Sequence, residues 1–439
     1  MTAIFKYDPA PRAFRGGRKW AALALAAATL LAGAGQVAAQ DVLIRNAKVH
    51  TAGTQGTLEN ADVLVQGGVI RAVGNALAAP SGVEVVEAAG RPLTPALFGG
   101  IGSLGVSEVP GESSTSDGSF SLPDALQPVR PEFDVTLAYN PDSVLVPVAR
   151  VEGIGFSVLS AGSGKSFIGG QGGVMRLDGS LDPIGPRALF VALGGGASSL
   201  SGQSRAAQWM LLDQLLAEAR GRVPADSPHA LLTPAGRATL AKHLANGGRL
   251  VVKVDRAADI RQLLRWAQRE RVRVVIGGGA EAWRVAPQIA QAGVPVFLDP
   301  LQNLPNGFDD LGATLENAKR LRAAGVEVGF SGGANHNARK QRQVAGNAVA
   351  NGLSWEDGLA GLTRVPAQVF GVDDRIGTIA PGKLADLVLW NGDPLDVAYV
   401  AQRVWLGGRA MPMHSRQTEL RDRYLRGIGE NGLPRAYSP

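Results

Sequence analysis

The sequence contains no cysteine and only five histidines among its 439 residues. Without cysteine the chain can form neither a disulfide nor a thiolate metal site, and it cannot carry a lipid on an N-terminal cysteine. A zinc site needs three or four His, Cys, Asp or Glu ligands that converge on the metal. The shortage of cysteine and histidine therefore argues against an ordinary zinc centre.

No apolar run in the N-terminal region is long enough to span a bilayer, which takes roughly 20 residues. The apolar run at 20–31 is only a little over half as long as a bilayer span. Val37, Ala38 and Ala39 supply small residues for cleavage before Gln40. Basic residues precede the run, at Lys6, Arg12, Arg15, Arg18 and Lys19. The pattern is typical of a secretory signal peptide over 1–39. It predicts a soluble periplasmic or secreted protein with no membrane span.

Excess positive charge is also absent from the predicted mature chain. The leader holds five Lys or Arg and one Asp, so its removal lowers the formal net charge from +6 to +2. Such a weak balance excludes the basic footprint of a nucleic-acid-binding protein. The C-terminal arginines alternate with acidic residues, which favours a solvated helix face.

The chain begins and ends with short β-rich runs and has alternating strands and helices between them. The run ADVLVQGGVIRAVG predicts a hairpin that turns at Gly67 and Gly68. From Leu250, LVVKV is followed by a helical pattern with Ile260 and Leu264 on one face, and further strand–helix pairs come after it. Repeated βα units indicate a parallel sheet, either doubly wound or closed as a (β/α)8 barrel.

Polar or glycine-rich residues after strand upon strand favour the barrel, whose mouth is built from the loops that follow its strands. The predicted fold is a (β/α)8 TIM-like barrel over 94–375. A small composite β-sandwich made from both chain ends, 40–93 and 376–412, flanks it, and 413–439 is a tail. The segment 105–145 is expected to be either a long loop over the mouth or a disordered insertion.

Several phrases carry a family resemblance. GTIAPGKLADLVLWNGDPLDV resembles the closing signature of the amidohydrolase superfamily, of the imidazolonepropionase-like and dipeptidase-like kind, and DVLIRNAKVHTAG resembles the opening of its sandwich. The phrases LVVKVDRAADI, EAWRVAPQIAQAGVPVFLDP and LTRVPAQVFGVDDRIG resemble its barrel. The likeness covers roughly 41–412. It implies a hydrolase that acts on C–N bonds with a divalent metal.

The positions at which the resemblance implies metal ligands carry other residues. A Pro-Gly-Leu-Ile-Asp-x-His-x-His pattern laid from Pro95 puts its acidic residue at Gly99 and its histidines at Ile101 and Ser103. The remaining histidine positions fall on Lys253 and on Gly277 or Gly278, and the aspartate falls on Gly333. The sequence therefore predicts no metal ligand and no cofactor.

Three residues are the catalytic candidates. Lys253 interrupts an apolar strand, so we expect a buried amine with a lowered pKa; it serves as a base, nucleophile or anion anchor, or it pairs structurally with Asp255 or Glu281. His336, after a strand end, is a general acid or base or caps a helix. Glu281 opens a helix, which favours a structural role at the positive end of the helix dipole.

Ser103, Gln171 and Asn335 are the candidate ligand-binding residues. Gln171 is expected in a tight glycine-rich turn beside the mouth, although its glycines also suit close packing of backbones. The preceding GKS at 164–166 lacks the upstream glycine of a phosphate-binding loop, because position 159 is Leu. His229 and His243 are expected on the outer surface.

Two functions remain open from the sequence. The first is hydrolysis of amide, non-standard peptide or cyclic amide bonds by a rearranged site, with activity that is weak, metal-independent or lost. The second is a catalytically inactive pseudoenzyme that binds a small-molecule or peptide-like ligand, as a homo-oligomer or as the partner of a related active hydrolase. Fold alone does not choose between them.

Overall fold

The computed structural model describes residues 40–109, 112–122, 129–332 and 335–426, with side chains at all of these except Asn335, His336 and Arg426. The predicted signal peptide lies outside them. The strands of the described residues are, in chain order, β1 (Val42–His50), β2 (Thr57–Gln66), β3 (Val69–Gly74), β4 (Glu84–Glu87), β5 (Pro92–Pro95), β6 (Leu97–Gly102), β7 (Ile154–Leu159), β8 (Ile168–Arg176), β9 (Ile184–Ala192), β10 (Arg249–Val254), β11 (Arg273–Gly278), β12 (Val296–Leu298), β13 (Val328–Phe330), β14 (Leu387–Trp390), β15 (Ala401–Leu406) and β16 (Arg409–Ala410).

Most helices of the described residues follow strands of the barrel. The α-helices are α1 (Leu145–Arg150), α2 (Arg205–Ala219), α3 (Pro234–Ala245), α4 (Ala257–Glu270), α5 (Ala286–Gln291), α6 (Asn317–Ala323), α7 (Gln341–Ala350), α8 (Trp355–Leu362), α9 (Arg364–Val369) and α10 (Arg416–Arg426). Short 3-10 helices cover Ser113–Thr115, Val135–Ala138, Gly195–Leu200, Ala282–Val285 and Asn335–Lys340. Within the described residues no helix is long and apolar enough to cross a membrane.

Strands from the two chain ends form one eight-stranded sheet. Its order is β16-β15-β14-β5-β1-β2-β3, with β4 also paired to β1. The hairpin between β2 and β3 turns at Gly67 and Gly68, with φ of +58° and +77°, as predicted. Positive φ at two successive residues suits the turn that joins twisted antiparallel strands. That these strands make a two-layered sandwich stays a prediction.

The second eight-stranded sheet is a TIM-like barrel with strand order β6 to β13. The strands are parallel except β8, which is antiparallel to both β7 and β9. The hydroxyl of Ser331, just after β13, donates to the carbonyl of Ile101 in β6 at 3.2 Å and links the two edge strands. The barrel sheet is therefore nearly closed.

The reversed strand corrects two predictions. The chain does not pass through a helix between β7 and β9, and the glycine-rich segment predicted to be a turn is the middle of β8. The glycines have a packing reason, since a Cβ at Gly169 would overlap the carbonyl of Ala161 and one at Gly172 would overlap that of Leu159. Only residues without a side chain allow backbones to approach this closely.

The apolar face predicted for α4 is buried. Ile260 and Leu263 are fully inaccessible to solvent, and Leu264 and Ala267 lie in the same core cluster. Spacing of three and four residues puts these side chains on one side of the helix, where they cover the barrel strands. The α/β layering around β10 and β11 was therefore predictable from periodicity.

The closing segment that resembles the superfamily signature joins the sheet to the barrel. Asp386, immediately before β14, is paired with Arg176 at the end of the reversed strand. The indole nitrogen of Trp390 donates to the hydroxyl of Thr94 at 2.9 Å, and both side chains are fully buried. Gly153, with φ of +80°, packs directly on the Trp390 ring. The signature residues thus have a structural role.

Candidate binding site at the barrel mouth

Lys253 lies one residue before the carboxyl end of β10, and its side chain is exposed. Its neighbours Val252 and Val254 are buried on the other face of the strand. Because successive side chains of a strand point to opposite faces, Lys253 projects into the open end of the barrel. The prediction of a buried lysine is wrong, because a side chain at the end of a barrel strand meets the open mouth rather than the packed core.

Lys253 forms no ion pair within 4.0 Å with a carboxylate among the residues that the structure describes. Its charge nevertheless acts on Asp255, two residues later. Burial raises the pKa of the Asp255 carboxyl above its usual range, against the opposing effects of the Ala280 amide, which donates to it at 3.2 Å, and of Lys253. The negative charges of Asp309 and Asp310 raise this pKa further. Asp255 is thus a carboxyl in the mouth that holds its proton more tightly than usual.

Glu281 has both carboxylate oxygens engaged. The backbone amide of Ala257 donates to Oε2 at 3.0 Å, and the amide of Gly312 donates to Oε1 at 2.9 Å. Arg284 adds an ion pair at 3.3 Å. The residue is 4% exposed, and its two amide contacts tie the start of α4 to the loop that follows β12. The geometry supports the structural alternative for Glu281.

The loop at 299–314, called the rim loop here, extends along the mouth from the end of β12 to the loop after β9. Asp310 organises it by accepting the amides of Asn306 and Gly307 at 3.0 and 2.8 Å. Asp309 accepts the amide of Gly195 at 2.5 Å and pairs with Arg205. Several apolar side chains of the loop remain exposed, namely Leu301, Leu304, Phe308 and Leu311.

The positions that correspond to metal ligands do not fit a divalent ion. Ile101 offers no donor atom and Ser103 offers only a hydroxyl. A Cβ at Gly278, where φ is +90°, would lie 2.5 Å from the Asp255 carboxylate, so a histidine at that position would be strained in this backbone. Lys253 contributes a positive charge. Over residues 40–426, apart from the undescribed gaps, no three His, Cys, Asp or Glu side chains are grouped to hold a metal. Gly333 lies outside the described residues.

The structure places the remaining candidates in different regions. Ser103 follows β6, and its Cβ lies near Gly118 of the 112–122 segment, which also packs on the loop after β7. Asn335 begins a 3-10 helix after β13. The side chains of Asn335 and His336 are not among those that the structure describes. The contact between Ser103 and Gly118 shows that part of the 105–145 segment is a loop against the mouth.

Gln171 does not lie at the mouth. It lines a cleft together with Arg249 and Arg273, the first residues of β10 and β11. Strands of a barrel that run in one direction start at one end, so this cleft opens at the end opposite the mouth. The expectation that Gln171 serves a mouth ligand is wrong, because Gln171 lies within β8 opposite Leu189, which in turn pairs with Leu250 near the start of β10.

The histidines with described side chains lie away from the mouth. His229 and His414 are exposed. His243 is buried, contrary to expectation, with Nε2 3.1 Å from the Arg249 carbonyl, and burial lowers its pKa. His50 is buried against Trp355, with ring centroids 4.4 Å apart.

The architecture defines a TIM-like barrel protein with a candidate site at the carboxyl ends of the strands. Residues 281–412 match the amidohydrolase family. The solved amidohydrolase from Thermotoga maritima MSB8 is 26% identical and aligns with a TM-score of 0.74 over 85% of this chain and 100% of its own. The imidazolonepropionase of Maricaulis maris (strain MCS10) is 33% identical over 119 residues, 26% of this chain and 28% of that protein. The imidazolonepropionase of Aromatoleum aromaticum (strain DSM 19018 / LMG 30748 / EbN1) is 41% identical over 102 residues, 22% of this chain and 25% of that protein.

Together these matches support membership of the amidohydrolase superfamily of hydrolases. Its alignments to the two imidazolonepropionases span about a quarter of their length.

Proposed function

We propose that the protein uses the amidohydrolase barrel to bind a small amide-containing or peptide-like ligand that bears a carboxylate, with Lys253 as the anchor. The observation that carries this proposal is an exposed lysine with no carboxylate within 4.0 Å among the described residues, at a position where the superfamily resemblance implies a metal-binding histidine. An ammonium that forms no ion pair, in a mouth with low-dielectric walls, attracts an anion.

Loss of metal-dependent hydrolysis follows from the same residues. A catalytic metal lowers the pKa of bound water and polarises the carbonyl that is attacked. Ile101 and Ser103 cannot replace imidazole ligands, and the charge of Lys253 repels a divalent cation. We therefore propose a pseudoenzyme or binding subunit as the main function.

A second function, hydrolysis of a C–N bond without metal, is supported by Asp255. A carboxyl with a raised pKa can deliver a proton to the departing amine while water adds to the carbonyl carbon, and the carboxylate left behind then takes up the proton that the water gives up. Lys253 would hold the carboxylate of the substrate beside it. This function requires Asp255 to reach the scissile nitrogen.

We also propose export to the periplasm and, as a partner, a related active hydrolase. The basic and apolar pattern of 1–39 supports export. The exposed apolar side chains of the rim loop support a contact with another protein.

The test is calorimetric titration of the protein comprising residues 40–439 with dipeptides and N-acyl amino acids, after its metal content is measured. We expect saturable binding that Lys253→Met weakens at least tenfold, whereas Lys319→Met, at an exposed lysine on α6, leaves it unchanged. Turnover without metal that Asp255→Asn abolishes would establish the second function. Absence of binding, or equal effects of both lysine variants, would overturn the Lys253 site.

A further inference from the structure

A second cleft of the molecule lies at the amino-terminal end of the barrel strands. It is lined by Gln171 in the middle of β8, by the first half of β9, by the starts of β10 and β11, by the second half of α3 and by the end of α9. Besides Arg187, three cations line it: Lys242 near the end of α3, Arg249 at the start of β10 and Arg273 at the start of β11. We call these three residues the basal cluster.

No described carboxylate forms an ion pair with a residue of the basal cluster. No Asp or Glu lines the cleft. The Arg249 and Arg273 side chains form no ion pair with a described carboxylate and no hydrogen bond to a described acceptor. Arg187, which also lines the cleft, differs because it is paired with Asp134 at 2.9 Å. The charge of the basal cluster is therefore available to a ligand.

The arginines are held close together. Arg249 is half-buried, and burial together with the neighbouring charge of Arg273 lowers the pKa of its guanidinium. The same two effects act on His243, which is buried beneath the cleft. The turn between α3 and β10 contains Gly247, with φ of +61°, and its missing side chain leaves the space that the Arg273 guanidinium occupies. Like charges kept in proximity without an ion-pair partner are typical of a site that an anion completes.

Neutral polar groups complete the lining. Gln171 on the reversed strand, Asn246 in the turn and Gln368 on α9 supply amide groups beside the cations. Guanidinium groups match the oxygens of phosphate and carboxylate in pairs, and amides add hydrogen bonds of defined direction. We propose that this cleft binds a multivalent oxyanion, a phosphate or phosphate-bearing small molecule, between Arg249 and Arg273. The site is separate from the mouth and does not depend on the function proposed there.

The experiment is calorimetric titration of the protein of residues 40–439 with inorganic phosphate and, separately, with tripolyphosphate, at constant ionic strength. We expect one saturable site and at least tenfold weaker binding in Arg249→Gln/Arg273→Gln. The matched control is Arg261→Gln/Arg265→Gln, which removes two charges from the exposed surface of α4 and should change affinity less than twofold. Tighter binding of tripolyphosphate than of phosphate would indicate a phosphate-bearing molecule rather than the free ion as the physiological ligand.

Thermal denaturation gives a second readout, which also shows whether the variant folds. Without anion, Arg273→Gln should melt at or above the wild-type temperature, because it removes a repulsion. Phosphate should raise the melting temperature of the wild type and not that of the variant. Absence of saturable binding, equal losses in the two double variants, or an unchanged phosphate effect in Arg273→Gln would overturn the proposal.

Discussion

The carboxylate of Asp386 in the sheet and the guanidinium of Arg176 in the barrel form an ion pair, although the two residues are 210 positions apart in the sequence. Asp386 also accepts the backbone amide of Gly407 at 2.6 Å. Both side chains are largely excluded from solvent, at 3% and 13% exposure. The pair connects the one reversed barrel strand to the sheet built from the chain ends.

Asp386→Asn should lower the free energy of unfolding by about 3 kcal/mol, because it leaves the Arg176 charge buried without its main partner. Chemical denaturation followed by circular dichroism measures this loss. Asp422→Asn, in an exposed ion pair of α10, should change the same quantity by less than about 1 kcal/mol. Similar losses in the two variants would contradict a special role for the buried pair.

Gly153→Ala should be more destabilising than the backbone conformation alone explains. A Cβ at Gly153 would overlap the indole of Trp390, whereas Gly179, with φ of +95°, has nothing within 4 Å of its ideal Cβ. Gly179→Ala should cost about 1–2 kcal/mol from its positive φ. Gly153→Ala should cost about 2 kcal/mol more from overpacking. Equal denaturation midpoints would show that the Trp390 contact is not tight.

Stability should fall in mild acid because of His50. Burial, followed by the charge of Lys48, lowers the pKa of the folded His50 to about 4 from 6.5. The unfolded chain therefore takes up a proton at a higher pH than the native protein does. The stability that neutral His50 contributes is complete above about pH 6.5 and is lost as the pH falls towards 4.

The loss from His50 should reach about 2 kcal/mol once solvent screening is allowed for. His50→Gln should flatten the dependence of the unfolding free energy on pH between 4 and 6.5. The exposed His414→Gln variant should retain the wild-type slope. If the slope of His50→Gln equals that of the wild type, His50 does not control acid stability.

Glu281→Gln should loosen the rim loop, because a neutral amide accepts the amides of Ala257 and Gly312 less strongly and its NH2 group faces one of them. Limited proteolysis of the native protein should then cleave within 299–314 about tenfold faster. Glu316→Gln, which alters only an exposed pair with Arg320, should be cleaved at the wild-type rate. Unchanged cleavage in Glu281→Gln would mean that the loop is held by Asp309 and Asp310 alone.

Metal content follows from the residues at the mouth. The protein of residues 40–439, prepared without a histidine tag in zinc-supplemented medium, should contain well below one equivalent of zinc or manganese by elemental mass spectrometry. Ile101→His/Ser103→His supplies two imidazoles at the strand end and should raise the zinc content. Near-stoichiometric metal in the wild type, removable by a chelator, would mean that other residues form a metal site.

Periodicity predicted much of the barrel but not its reversed strand. The buried face of α4 follows from apolar spacing, and the hairpin at Gly67 follows from its glycine pair. In β8 the glycines serve close packing against the carbonyls of Ala161 and Leu159, a tertiary contact that local sequence does not encode. The segment that begins at Glu281 was predicted as one helix, but the structure divides it before Pro287 into a 3-10 turn and α5.

The mouth was predicted in position and only partly in chemistry. Lys253 could be located because it interrupts an apolar strand. The exposure of its side chain could not be predicted, because burial depends on where the barrel ends. From the sequence, Asp255 was considered only as a structural partner of Lys253. A carboxylate directly after a predicted strand was nevertheless a usable signal for a site residue. The basal cluster was missed because Arg249 and Arg273 are separated by a helix and become neighbours only when β10 and β11 pair.

The pairing of β5 with β14 also sets an order of events during synthesis. Thr94 and Val388 are opposite each other, so the centre of the sheet cannot form until nearly 300 further residues have left the ribosome. By contrast, β7, β8 and β9 are a local meander whose pairs close within a few tens of residues. Local contacts form faster than distant ones. The reversed strand therefore gives the growing chain an early folded unit, whereas β5 waits with one unpaired edge for the last part of the sequence.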